Sequence, residues 1–206
     1  ITKLADVAFP LRWGIIGAGS ISAQWVMCLR ECEGATVTAV AARSADRAKE
    51  FAAKYSITSS YGSYAEMVAA PDVDIVYVGT ITRLHKEHSL LAIEAGKHVL
   101  CEKPMANSAQ EAEAMIAAAR SAGRKLGVAY RVHFEPNNMQ ALKIVEDGDL
   151  GTMRFVSADH GFSANPDYPP HKWRLEKALA GGGSLWDIGV YGINTSLMML
   201  PGDKVT

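Results

Sequence analysis

Lys103, Asp187 and Tyr191 supply an ammonium, a carboxylate and a phenol, the groups that together can move a proton on and off a hydroxyl. Lys103 lies in Glu102-Lys103-Pro104, at the end of the apolar run Lys97-His98-Val99-Leu100-Cys101. The residue before a proline is pushed out of the helical region, so Lys103 is expected to be extended and to project from the carboxyl end of a strand, where open α/β sheets bind ligands. Asp187 and Tyr191 are four residues apart and so share one helical face. A tyrosine ionises near ~10 and needs a cation close by to act as a base at neutrality. A lysine about 4 Å away, at an effective dielectric of about 20, supplies about 4 kcal/mol, or roughly three pKa units. Asp187 opposes that shift, which leaves it the task of orienting a substrate hydroxyl or Lys103. The same residues also fit plainer roles: a strand stopped by a proline with a solvated lysine, and a helix whose tyrosine hydroxyl bonds a core carbonyl.

A second group of residues suits a dinucleotide. Trp13 to Ser22 reads as a strand, a glycine turn and a helix start, with Gly17 allowing the tight turn and Gly19 letting a pyrophosphate approach backbone amides. Ser20 and Ile21 open that helix, and Ser22 stands where the G-x-G-x-x-G pattern has its third glycine. The second strand is expected to end near Ala42, where an NAD enzyme carries an acidic residue for the ribose 2′-hydroxyl. None is there. Arg43, Ser44 and Arg47 offer two guanidiniums and a hydroxyl to a 2′-phosphate instead, which favours NADP over NAD. The alternative is that Ser44 caps the next helix while Arg43 and Arg47 are solvated, with Asp46 pairing either one.

The elements that must position these groups follow from the pattern. Arg12 to Ile16, Thr36 to Ala41, Asp74 to Val78, His98 to Cys101 and Lys125 to Ala129 read as short β-branched strands. Ser63-Tyr64-Ala65-Glu66 and Ser108-Ala109-Gln110-Glu111 fit the capping box, and Gly96 and Gly123 fall where helices end. Alternating buried strands and helices imply an α/β doubly wound parallel sheet. After Tyr130 the chain offers a helix around Asn138 to Glu146 and an alternating run from Thr152 to Asp159, read as one strand. A loop with Pro166, Pro169 and Pro170 follows, then Gly181-Gly182-Gly183 and an apolar helix over Ser184 to Leu200. A single strand cannot cover such a helix, so this second region reads as incomplete.

Composition narrows the function classes. The chain has 206 residues, 49% of them hydrophobic and 21% charged, with a net charge of −1. Nothing in that balance attracts nucleic acid, and no run approaches the roughly 20 apolar residues needed to cross a bilayer. Cys28, Cys32 and Cys101 read as buried, reduced thiols without a disulfide framework, which points to the cytoplasm, or to the periplasm if a leader has been removed. His85 and His88 could meet on a helix but lack a carboxylate or cysteine partner, so no metal is expected.

Taken together, GIIGAGSIS, AGKHVLCEKPMANS, AYRVHFEPNN and WRLEKALAGGGSLWDIGVYGIN resemble the Gfo/Idh/MocA oxidoreductase family, closest to its glucose-fructose oxidoreductase branch. The resemblance implies a Rossmann domain over residues 1–130 and a partial α+β substrate domain over 131–206, whose antiparallel sheet, usually also the dimer surface, is mostly missing. Family members run past 300 residues, so the chain is expected to be a fragment or a truncated product, and a homo-oligomer when full length. Carried over, Lys103 lies near the nicotinamide ribose and the substrate, Glu102 contacts the ribose, and Asp187 is the substrate-side aspartate. Tyr191 stands where many members carry histidine. Arg131 and Arg174 are candidates for binding sugar hydroxyls, and Pro104 for a cis bond. Thr80 and His85 line the nicotinamide side, although Thr80-Ile81-Thr82 replaces the common Thr-Pro-Asn. The implied reaction is NADP-dependent oxidation of an aldose at C1 to a lactone, or the reverse carbonyl reduction. The alternatives are a trans-dihydrodiol or xylose dehydrogenase of the same family, and a non-catalytic NADP-binding sensor.

Overall fold

The computed structural model describes residues 10–161, 163, 165 and 167–200, so Pro166 of the expected loop lies outside the described residues. Six strands form one sheet in the order β3-β2-β1-β4-β5-β6. They are β1 Leu11–Ile16, β2 Ala35–Ala41, β3 Ser59–Tyr61, β4 Ile75–Val78, β5 His98–Glu102 and β6 Leu126–Ala129. The pairs β1–β2, β1–β4, β2–β3 and β4–β5 are parallel. The five strands expected before Tyr130 are all present. β3 is the addition, because three residues, Ser59-Ser60-Tyr61, are too few to show a period in sequence.

Successive strand residues face opposite sides, and here both sides are covered. Ile16, Ala41, Val76, Val78 and Cys101 pack with Met67 of α3 (Tyr64–Ala69), Ile93 of α4 (His85–Glu94) and Met115 of α5 (Ala109–Ser121). Ile15, Val40 and Tyr77 point the other way, against Val26 of α1 (Ser20–Leu29) and Phe51 of α2 (Ala45–Lys54). Double coverage is why the strands read as near-continuous apolar runs.

The amino ends of the strands are tied by charge. Arg12 Nε and Nη2 donate to the two oxygens of Asp74 at 2.9 and 2.6 Å, and the Arg12 amide donates to the same carboxylate at 3.1 Å. These bonds hold the Asp74 carboxyl below its ordinary pKa. The Lys97 ammonium donates to the carbonyls of Ala70 and Val73 at 2.9 and 2.7 Å, closing the turn before β4.

The chain divides into two compact units, Ile1–Val128 and Ala129–Thr206. In the second, α6 (Pro136–Glu146) is capped by Glu135, which accepts from the Asn138 amide at 3.1 Å. Two expectations fail there. The alternating run from Thr152 to Asp159 is not a strand, because alternation selects a face but only a hydrogen-bonded neighbour makes a ladder, and this unit pairs none with it among the described residues. The proline stretch is not all loop, since Pro169 begins α7 (Pro169–Leu175), where a missing N–H costs nothing. After the short α8 (Lys177–Ala180), Gly181 and Gly183 take φ of +66° and +64°. The final helix is not uniform: a π turn over Leu185–Gly189 precedes α9 (Val190–Met199).

Cys101 is buried, but Cys28 and Cys32 are exposed, against expectation. Cys28 sits on the outward side of α1, and Cys32 lies beyond its end at Leu29, so neither reaches the core. No helix among the described residues is long and apolar enough to cross a membrane.

Candidate functional site

The crevice is built at the carboxyl ends of β1, β4 and β5, where the strand order reverses direction between β1 and β4. Gly17 has φ of +101°, and a Cβ there would stand 2.9 Å from Thr80 Cγ2 and 3.1 Å from the Gly79 carbonyl. Ser22, fully buried, donates its hydroxyl to the Gly17 carbonyl at 2.5 Å. Its side chain fits because Gly79 has no Cβ; one would collide with Ser22 Oγ and come within 2.7 Å of the Tyr77 ring. Serine thus replaces the third glycine with a tie that fixes the turn. Gly19 has open space within 4 Å of where its Cβ would be. Ser44, Ser63 and Ser108 cap α2, α3 and α5, whereas no side chain caps α1. Orphan amides at an α1 start led by Ser20 and Ile21, with room in front of Gly19, fit the pyrophosphate of a dinucleotide.

At the end of β2, Ser44 caps α2 with Arg43 and Arg47 beside it. Ser44 Oγ accepts from the Arg47 amide at 3.4 Å, an acceptor role that leaves its hydroxyl proton to donate. Arg43 and Arg47 are exposed, and Arg47 Nη2 reaches the Ala18 carbonyl at 3.5 Å, back over the glycine turn. Asp46 sits in the first turn of α2, past the position a ribose-binding carboxylate would take.

The loops after β4 and β5 are joined by histidine. His85, 1% exposed, has Nδ1 at 2.8 Å from the Pro104 carbonyl and Nε2 at 3.0 Å from the Thr80 carbonyl. Burial pushes the imidazole pKa down, so the neutral ring, with one N–H, prevails and serves one carbonyl at a time. His88 is likewise depressed by burial and pairs with Thr80 Oγ1 at 3.0 Å. These histidines position the Thr80 and Pro104 loops. Among the described residues, no group of three or more His, Cys, Asp or Glu could hold a metal ion.

Glu102 ends β5. Its Oε1 accepts from the Tyr77 hydroxyl at 2.7 Å and its Oε2 from the Lys103 amide at 3.1 Å. Lys103 is half-buried, and the Lys103–Pro104 bond is cis. Burial pushes the neighbouring Cys101 thiol up to about 12.

The second unit gathers a separate set. Arg174 Nε donates to Asp187 Oδ2 at 2.9 Å, and its guanidinium lies 4.6 Å from the Trp173 ring. Asp187 is in the π turn, a bulge type common at functional sites. Tyr191 follows in α9, 8% exposed, with the Tyr130 ring edge-on at 6.2 Å and the His160 ring at 5.6 Å. Arg131 is exposed on a short 3-10 turn, Arg131–Phe134. The sequence reading missed Tyr77, Tyr130, His160 and the Arg174–Asp187 pairing. Tyr77 carried a signal: a phenol inside a strand buried on both faces must find a partner.

Comparison with known proteins agrees with this geometry. An oxidoreductase family with an NAD-binding Rossmann fold matches residues 11–130, and the GFO/IDH/MocA C-terminal domain matches residues 138–206. Over 94% of the chain, it is 41% identical to a trans-1,2-dihydrobenzene-1,2-diol dehydrogenase of Danio rerio. Over 93%, it is 38% identical to a 1,5-anhydro-D-fructose reductase of Ensifer adhaerens. The chain spans 57% of the length of each of these relatives. The crystal structure of an aldose-aldose oxidoreductase from Caulobacter crescentus, complexed with glycerol, superposes with a TM-score of 0.85 at 42% identity, covering 92% of this chain and 57% of that one.

Proposed function

The chain belongs to the Gfo/Idh/MocA oxidoreductase family, and from that premise we propose that it serves an NADP-dependent sugar oxidoreductase. Residues 1–130 form its nucleotide domain and residues 131–206 part of its substrate domain, in a homo-oligomeric enzyme. The reaction is oxidation of an aldose at C1 to the lactone, or the reverse reduction of a carbonyl sugar. The observation that supports it best is the carboxylate and ammonium of Glu102 and Lys103 at the rim of β5, beside a helix start built for a pyrophosphate.

Gly17, Gly19, Ser20 and Ile21 cradle the pyrophosphate, and Arg43, Ser44 and Arg47 take the 2′-phosphate. Thr80 and His85 shape the nicotinamide side, and Glu102 accepts from a ribose hydroxyl. When bound, the nicotinamide supplies the hydride chemistry. Tyr191, as its phenolate, accepts the proton of the C1 hydroxyl, and Lys103 supplies the positive charge that favours that phenolate and the reacting oxygen. Asp187, oriented by Arg174, accepts from a sugar hydroxyl, and Arg131 and Arg174 donate to others. Replacement Tyr191→Phe is expected to lower turnover about a thousandfold while NADPH binding stays at the wild-type level. The measurements are absorbance at about 340 nm with a panel of sugars and a parallel NADPH titration. A near-normal rate removes Tyr191 from this role.

The identity to the dihydrodiol dehydrogenase favours a second reading, in which the same residues act on an aromatic trans-diol. Adding such diols to the panel separates the two. NADP binding without hydride transfer to any member would favour a sensor.

A further inference from the structure

We infer that Tyr77 is a positioning residue for the nicotinamide-side ribose, acting through Glu102. The inference rests on the cofactor reading above. Tyr77 is 0% exposed in β4, and its ring stacks on Trp25 at 4.4 Å, while Trp25 tilts against Trp13 at 4.8 Å. The ring is therefore fixed by packing, and its hydroxyl is delivered to one place, 2.7 Å from Glu102 Oε1. A bond from a neutral donor to a carboxylate is charge-assisted and stronger than an ordinary one.

The other carboxylate oxygen takes the Lys103 amide at 3.1 Å. Bonds at both oxygens set the plane of the carboxylate. Fixing the plane orients the carboxylate before any ligand arrives. Pre-organisation of this kind lowers the cost of binding. The same phenol ring also bounds the space that Gly79 leaves to Ser22, so the pyrophosphate turn and the ribose carboxylate are registered against one side chain.

Replacement Tyr77→Phe removes only the hydroxyl and keeps the stacked ring. Titrations of the wild-type chain, Y77F, E102A and the double variant with NADP⁺, and with adenosine 2′,5′-bisphosphate, which lacks the nicotinamide mononucleotide half, test the inference. Y77F is expected to raise the Kd for NADP⁺ about tenfold and leave that for the bisphosphate within about twofold. In the E102A background the same change is expected to add nothing further, since Tyr77 acts through the carboxylate. Unchanged NADP⁺ binding by Y77F, equal weakening of both ligands, or effects that multiply in the double variant would each overturn it. A wild-type chain that binds neither ligand would defeat the cofactor reading itself, and this inference with it.

Discussion

At Gly19 the requirements of folding and of ligand binding separate. Its backbone, at φ −104° and ψ −179°, suits any residue, and open space surrounds its absent Cβ. Gly19→Ala is therefore expected to leave the urea midpoint unchanged or raise stability by about 0.4–1 kcal/mol, through the lost freedom of the unfolded chain. In the proposed cofactor site the added methyl faces the pyrophosphate, so NADP⁺ affinity is expected to fall about tenfold to a hundredfold. Denaturation and a binding titration on one preparation check both signs. Gly17, at φ +101°, offers no such separation. Residues of this kind were legible in the sequence because their spacing is set by local turn geometry. The Tyr77 hydroxyl and the Arg174–Asp187 pair were not, since each joins positions that only the tertiary fold brings together.

Among the elements, β1 and β4 are held at their amino ends by Arg12 and Asp74. The Asp74 carboxyl is depressed below its unfolded value, so its contribution to stability is complete above about pH 4–5 and is lost as pH falls through the folded-state pKa. Asp74→Asn is expected to lower the urea midpoint at neutral pH and to flatten its fall below pH of about 4. His85, held neutral by burial, also loses stability on acidification, but from about pH 6.5 downward. That higher-pH loss is expected to persist in the variant, and midpoints measured across the acid range distinguish the two. The strands of this sheet could be placed from sequence because burial on both faces gives each an apolar run. β3 escaped by its brevity, and the alternating run from Thr152 to Asp159 misled, because its period reports a face to be covered and carries no record of a neighbour.

At the scale of the whole molecule, the two units differ in what they bury. The first closes both faces of its sheet with helices, whereas the second leaves Phe134, Leu150, Phe155 and Leu175 exposed. The contrast extends to sulfur: Cys28 and Cys32 lie in water, and Cys101 lies inside β5, one residue before Glu102. An alkylating reagent is thus expected to add two labels to the native chain promptly. The third label waits until β5 separates from its neighbours, because a buried thiol pushed up to about 12 offers almost no thiolate. NADP⁺ at a hundred times its Kd is expected to delay that third label about a hundredfold, since opening the rim then requires release of the ligand. Followed by intact mass, Cys101 becomes a clock for the breathing of the strand that ends at Glu102.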